Sequence, residues 1–361
     1  MKIKTTLIGL GGVAARIHLP ALARFPEVEL VGAVEPSPQS VRLAGKAAPI
    51  PPLFATIPEM LEKTRPDVVV IGTPPAMHHE HARAALEAGA HVFLEKPFVS
   101  SVEEADDLIA TARRAGRLLV VNNQYRYMTP YRETQRRLAA GEFGKAYQIQ
   151  AWQQMFHPPS HEKNWRASLV QSTLYEFGTH ALDLACFLFG ALPAAVTART
   201  PKVPQRIDAD VLVVAMVDFP EDRVATFNFN RVSQAPERYL EMRLDAEEAS
   251  IRLSLGGVAR LSVDMVRNRR RPRLRASLVR GGEARVEKSG ASRSIVASRQ
   301  SEFASATAAH FGVFLEKIRT GAVEPSAALH AREVLRTVFA AYESARTRGT
   351  IRLDRAASER S

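Results

Sequence analysis

The sequence predicts an α/β chain in two parts: a doubly wound parallel sheet over residues 1–122, then an α+β part with a large, mostly antiparallel sheet over 123–361. Three observations predict this. Short β-branched runs alternate with amphipathic stretches as far as Asn122, a glycine-rich turn follows the first run directly, and beyond Asn122 long strands succeed one another across tight turns.

In the first part the strands read KTTLIGL, VELVGAVE, DVVVIGTP, HVFLEK and RLLVVNN, continuous apolar runs of the kind buried on both faces of a sheet. Between them, segments such as EHARAALEAGA and SVEEADDLIATARRAG repeat apolar residues at helical spacing. The second part opens with a helix, PYRETQRRLAAGEFG, and a strand, YQIQAWQQM. A loop rich in His and Pro leads to a second helix, LYEFGTHALDLACFLFG. VLVVAMVDF and RVATFNFNR then pair across Pro220 to Asp222, and ERYLEMRL, SIRLSL and VARLSVDMV continue the sheet. RPRLRASLV and EARVEK read as a hairpin about Gly281 and Gly282, followed by a Ser-rich linker and two closing helices.

Bulk composition narrows the function classes. At 46% hydrophobic and 24% charged residues, the 361-residue chain resembles ordinary globular proteins and is long enough for two cores. The N-terminus lacks the apolar core and cleavage site of a signal peptide, and no stretch reaches membrane-spanning length. The single cysteine, Cys186, excludes an internal disulfide and a multi-cysteine metal site, which fits a reducing cytoplasm. Of the net charge of +11, a net +7 lies in residues 267–288, so the basicity is local. That stretch has no interleaved aromatics for base stacking, and nucleic-acid binding is not expected.

The turn IGLGGVAARIHLPAL carries Gly9, Gly11 and Ala14 at the spacing of a dinucleotide-binding fingerprint, with Gly12 and Val13 completing it. Gly9 permits the tight turn, Gly11 lets the backbone approach a pyrophosphate, and Ala14 lets helix and strand pack closely. Glu35 ends the second strand, 21 residues after Ala14, where a carboxylate accepts hydrogen bonds from an adenine-ribose hydroxyl and repels a 2′-phosphate. NAD is therefore expected over NADP.

Lys96, flanked by Glu95 and Pro97, ends the fourth strand at the edge where open α/β sheets bind ligands. Pro97 keeps Lys96 in an extended backbone. Farther on, Glu176 and His180 stand four residues apart on one helical face, with Asp183 a turn beyond. A carboxylate beside an imidazole can fix its tautomer and raise its basicity. No third His or Cys stands at ligand spacing, and no metal site is expected.

With these residues in place the whole chain resembles the glucose-fructose oxidoreductase, inositol dehydrogenase and rhizopine catabolism family, Gfo/Idh/MocA. The matching stretches are GLGGVAARIHLPAL, TPPAMHHEHARAALEAGAHVFLEKP, NQYRYMTPYRE, the Trp165–Arg166 pair, LYEFGTHALDLACFLFG and GTIRLD. The resemblance implies a Rossmann domain that binds NAD(P) over residues 1–122. It implies a substrate-binding domain over 123–361 whose sheet forms a homodimer or homotetramer. It makes Lys96 and His180 catalytic, with Glu176 at the usual aspartate position, and sets Thr73, Pro74 and His78 beside the cofactor with Glu95 and Pro97. Arg126, Trp165, Arg166 and Asp183 fall at the substrate pocket. Pro75 and Gln171–Ser172 depart from the family pattern, as does the length of Glu176.

The reading that follows is hydride transfer between nicotinamide and a secondary alcohol of a sugar, inositol or sugar derivative. His180 takes the hydroxyl proton, oriented by Glu176, while Lys96 stabilises the alkoxide or itself acts as base. Two alternatives keep the dinucleotide: a glycosidase that oxidises its sugar transiently, and a sensor without turnover.

Overall fold

The five apolar runs that open the chain form strands β1 (Ile3–Ile8), β2 (Val28–Val34), β3 (Val68–Ile71), β4 (His91–Leu94) and β5 (Leu119–Val121). They hydrogen-bond in the order β2-β1-β3-β4-β5, all parallel. This computed structural model describes residues 2–158, 161–162, 164–203, 209–256, 258–264, 273–279, 281–298 and 300–353. Every residue of β3 and β4 is buried, as continuous apolar strands require. Between the strands lie α1 (Leu19–Leu22), α2 (Pro38–Ala47), α3 (Ile57–Thr64), α4 (His78–Glu87) and α5 (Val102–Ala115). Ser37, Thr56 and Ser101 cap α2, α3 and α5, each side-chain oxygen accepting from the amide three residues on.

After α6 (Thr129–Ala139) and β6 (Ala146–Gln154), the chain winds a π turn over Thr173–Gly178 into α7 (Thr179–Phe189). The strands β7 (Ala195–Arg199), β8 (Leu212–Phe219), β9 (Arg223–Asn230), β10 (Arg238–Ala246) and β11 (Ser250–Leu255) follow. Next come β12 (Val258–Asp264), β13 (Arg273–Val279), β14 (Gly282–Lys288) and β15 (Ala291–Ser298), then α8 (Phe303–Arg319), α9 (Ser326–Thr347) and β16 (Ile351–Arg352). Nine strands make one sheet in the order β15-β14-β11-β10-β6-β9-β8-β7-β16. β6 and β9 run parallel in it and the other neighbours antiparallel. Glu221 and Asp222, both with positive φ, close the predicted β8–β9 hairpin.

Two expectations need correction. β13 pairs with β12, whereas β14 lies between β11 and β15 in the large sheet, so RPRLRASLV and EARVEK are not a hairpin. Gly282 is there for close approach rather than for a turn: a Cβ on it would lie 2.9 Å from the Ser254 carbonyl oxygen on β11. The Ser-rich stretch is not a linker either, since its residues 291–298 form β15, joined to β14 through Ser289 and Gly290, both at positive φ. Residues 265–272 and 280 of the arginine-rich region, and Asp354 of GTIRLD, lie outside the described residues.

Contacts gather the chain into two units that are not continuous in sequence. The first joins the residues up to Tyr127 with Leu174–Asp183 and Phe303–Ala340; the second joins Met128–Thr173, Leu184–Glu302 and the chain from Ala341. In the first unit, Leu7, Val68, Val70, Phe93 and Val120 of the parallel sheet share a core with Phe311, Phe314 and Leu315 of α8. Phe93 meets Phe311 edge to face at 5.2 Å. A helix from near the chain's end thus buries the sheet's core face. In the second unit, Val213, Ala215, Val217 and Phe219 of β8 alternate inward, leaving Val214 and Met216 on the open face at 43% and 44% exposure.

Candidate active site

The glycine turn leaves β1 at Gly9, whose φ of +91° only glycine adopts readily and whose Cβ, if present, would lie 3.0 Å from the backbone of Gly72. The Gly9 amide donates to Val34 O at 2.9 Å, and the amide of Gly72 donates to Ile8 O at 2.9 Å. Turn and neighbouring strand ends therefore sit tightly together. At Gly11 the situation is opposite: a Cβ there would meet nothing within 4 Å, so the turn is open to a ligand on that side. Ala14 is buried, as close helix–strand packing requires. Beside Gly12 the Arg16 side chain folds back, its Nε donating to Gly12 O at 3.2 Å.

Glu35, at the end of β2, ties this turn together: one carboxylate oxygen accepts from the Leu10 amide at 2.7 Å and the other from the Ser37 amide at 2.8 Å. Both oxygens retain further acceptor capacity, so the anchored carboxylate can also receive ribose hydroxyls. Open space at Gly11 beside a fixed carboxylate at Glu35 fits a dinucleotide.

Glu95 and Lys96 diverge at the end of β4. Glu95 is 5% exposed and turned inward: Asn122 Nδ2 donates to it at 2.7 Å, and His18 Nε2 lies 2.9 Å away. Burial pushes its carboxyl pKa up, but His18, Asn122 and the Lys96 charge outweigh that and bring it to about 2. Asn122 also donates to Thr307 Oγ1 at 3.2 Å, and its Oδ1 lies 3.3 Å from His310 Nδ1, which binds α8 into the same network. Glu95 is thus a buried anchor rather than a group presented to a cofactor.

His78 likewise faces the protein. Its Nδ1 lies 3.0 Å from the carbonyl oxygens of both Pro97 and Phe98, and its Nε2 lies 2.9 Å from that of Thr73. Burial pushes its pKa down. The neutral ring donates through one nitrogen only, and it packs between the Thr73–Pro74 loop and the Pro97–Phe98 backbone.

Lys96 reaches the π turn. Its Nζ donates to the backbone carbonyl of Glu176 at 2.9 Å and lies 3.4 Å from Glu176 Oε1. Just past this turn Thr179 Oγ1 donates to Tyr175 O at 2.6 Å, the back-bond to the fourth preceding carbonyl that threonines make in helices. An ammonium carries three donors, so two directed at Glu176 leave a third for a ligand oxygen.

His180 is 6% exposed, and its ring stacks face to face on Tyr125, with centroids 3.7 Å apart and planes 6° from parallel. Its Nδ1 has no hydrogen-bond partner among the described residues. Burial, and then the positive charge of Lys96, push its pKa down to about 3 against the opposing pull of Asp183 and Glu95. The ring is therefore neutral near pH 7. Glu176 had been expected to orient this ring. In the structure its carboxylate faces Lys96, and the imidazole stacks on Tyr125.

Asp183 and Arg126, expected at the substrate pocket, bind each other. Arg126 Nε donates to Asp183 Oδ2 at 2.6 Å, a second guanidinium nitrogen reaches Oδ1, and His330 Nε2 lies 3.1 Å from Oδ1. Burial pushes the Asp183 pKa up, but the Arg126 charge and the His330 bond bring it to about 2. Asp183, wholly buried, is spent on this cluster. Trp165 and Arg166 lie in the second unit on the short turn Asn164–Ser168, where the guanidinium sits 4.4 Å over the indole. In that unit Asp210 accepts from the amides of Ser172 and Thr173 at 2.6 and 2.9 Å, fixing the Gln171–Ser172 turn. Tyr125 lies within NQYRYMTPYRE, but no spacing rule singles it out. His330 has no local signal at all, for it comes 147 residues after Asp183.

Among the described residues no helix is long and apolar enough to cross a membrane. The family model described as "Oxidoreductase family, NAD-binding Rossmann fold" matches residues 3–123, and the Gfo/Idh/MocA C-terminal domain model matches residues 131–252. The oxidoreductase YdgJ of Escherichia coli is 28% identical over 240 residues, 66% of this chain and 68% of that protein. The scyllo-inositol 2-dehydrogenase (NADP(+)) IolW of Bacillus subtilis is 24% identical over 98% of this chain and 96% of its own length. An Agrobacterium radiobacter oxidoreductase crystallised with NAD+, L-tartaric acid and magnesium shares the fold at TM-score 0.80, with 20% identity over 98% of each chain.

Proposed function

The chain belongs to the Gfo/Idh/MocA family of oxidoreductases with an NAD-binding Rossmann fold, and from that premise we propose that it oxidises or forms a secondary alcohol of a sugar, inositol or sugar derivative. NAD, when bound, takes or returns the hydride. The reading rests on one geometric relationship: Lys96 is held by Glu176 with a donor to spare, and one turn beyond Glu176 stands the buried His180, whose Nδ1 has no hydrogen-bond partner among the described residues.

In the oxidative direction the substrate hydroxyl gives its proton to the His180 ring as the C–O bond becomes a carbonyl. Lys96 donates a hydrogen bond to the developing alkoxide and stabilises it by charge. Glu176 keeps the ammonium in place. Gly9, Gly11, Gly12, Val13, Ala14 and Glu35 hold the dinucleotide, and the Glu35 carboxylate favours NAD by repelling a 2′-phosphate.

Residues 1–122 serve the cofactor, and 123–361 serve the substrate and assembly. A homodimer or homotetramer forms through the open face of the large sheet. There the register aligns Val214, Asn228, Trp152 and Glu241 across four strands, with Met216, Thr226, Gln150 and Arg243 alongside.

The test is a panel of aldoses, polyols, inositols and sugar acids incubated with NAD and with NADP, followed by absorbance of the reduced cofactor. Substrate-dependent reduction of NAD in preference to NADP is expected. No reduction of either by any alcohol, with the dinucleotide shown to bind, overturns the reading.

A further inference from the structure

The face-to-face stack of Tyr125 on His180 is an interaction that neither the chain's spacing nor the proposed chemistry requires, and its geometry is close. Centroids 3.7 Å apart with planes 6° from parallel put the phenol over the whole imidazole. Tyr125 is 3% exposed and His180 6%, so both rings are held by their surroundings. In the same site, His180 Nδ1 has no hydrogen-bond partner among the described residues, and the Glu176 carboxylate faces Lys96. Something other than a carboxylate therefore fixes the plane of the imidazole.

We propose that Tyr125 is the positioning residue of His180, its ring fixing the imidazole plane and stabilising the imidazolium formed when the substrate proton arrives. This rests on the reading of His180 as proton acceptor. The groups that act on the ring are Lys96 beyond β4, Asp183 on α7 and the buried Glu95; burial and Lys96 oppose protonation, and Asp183 and Glu95 assist it. A π face against the imidazole adds a further attraction for the cationic form, strongest where water is excluded. It does so without donating or accepting a proton, so the ring nitrogens stay available to substrate. The hydroxyl of Tyr125 is not needed for this, and phenylalanine supplies the same face.

The experiment compares the full chain with Tyr125→Phe, Tyr125→Leu, His180→Asn and the Tyr125→Leu/His180→Asn double variant. In the unmodified protein, NMR of the histidine rings, with His180 assigned by its loss in His180→Asn, is expected to show an upfield ring-current shift. Tyr125→Phe keeps that shift and near-normal kcat. Tyr125→Leu loses the shift, lowers kcat about tenfold or more with KM for NAD unchanged, and lowers the pH at which the rate reaches its plateau, because the imidazolium loses its π face. In the double variant the leucine has no further effect on rate.

A His180 ring without the upfield shift in the unmodified protein overturns the proposal, whether or not the variants fold. So do equal losses in Tyr125→Phe and Tyr125→Leu, or a leucine effect of the same size with and without His180. If the unmodified protein oxidises no alcohol while the ring-current comparison holds, the proposed function fails and the placement of His180 by Tyr125 stands.

Discussion

The Lys96 ammonium donates to the main-chain carbonyl of Glu176 at 2.9 Å, with the Glu176 carboxylate at 3.4 Å, across 80 residues of sequence. The backbone itself therefore holds the lysine, and the side chain assists. Replacing Lys96 with Met is expected to lower turnover by about two or more orders of magnitude while leaving the Kd for NAD within about threefold. Glu176→Gln, which keeps the carbonyl contact, is expected to lower kcat by only about tenfold. Steady-state rates with calorimetric NAD binding check both, and equal losses in the two variants would contradict the division of labour.

Gly9 and Gly11 separate folding from binding. Gly9→Ala places a Cβ 3.0 Å from the Gly72 backbone at a φ of +91°, and about 1–3 kcal/mol of stability should be lost. Gly11→Val adds a side chain in open space, so its melting temperature should stay close to the parent's while NAD binding is lost. Thermal melts with and without NAD read the contrast directly. A Gly11→Val protein that still gains melting temperature from NAD contradicts the turn's assignment.

Stability should decline as the pH falls below about 6.5. The His91, His180 and His310 pKa values are depressed to about 4, 3 and 3, each chiefly by burial, so in this range the unfolded chain binds protons that the folded chain refuses. Each such histidine contributes a slope of about 1.4 kcal/mol per pH unit between its folded and unfolded pKa values. Glu95 and Asp183, held at about 2, add a second loss only below the ordinary carboxylate range. Urea unfolding from pH 7.5 to 4.5 checks the sign, and a midpoint constant down to pH 5 would exclude it.

Much of the fold is legible because it is written locally. The runs VVVI and HVFL are apolar throughout and can only be strands buried on both faces, and the Gly9–Ala14 spacing marks the turn beside them. Lys96 at a strand end and Glu176 with His180 one turn apart are legible for the same reason, as neighbours in sequence. Where the same residue type serves two ends, local reading fails: Gly281–Gly282 looks like a turn, but Gly282 makes room for the Ser254 carbonyl of a strand that no nearby residue announces.

Sequence by itself singled out the candidate groups: the glycine turn, Glu35, Lys96, Glu176 and His180. Tertiary structure alone decided what each group faces. It turned Glu95 and His78 inward, closed Arg126 and Asp183 on each other with His330, gave the Glu176 carboxylate to Lys96 and set Tyr125 against His180. The physical reason is one of range. Backbone propensity and side-chain periodicity act over a few residues, whereas the partner of a buried charge or ring is whichever group the packing brings within about 4 Å, however far away in the chain.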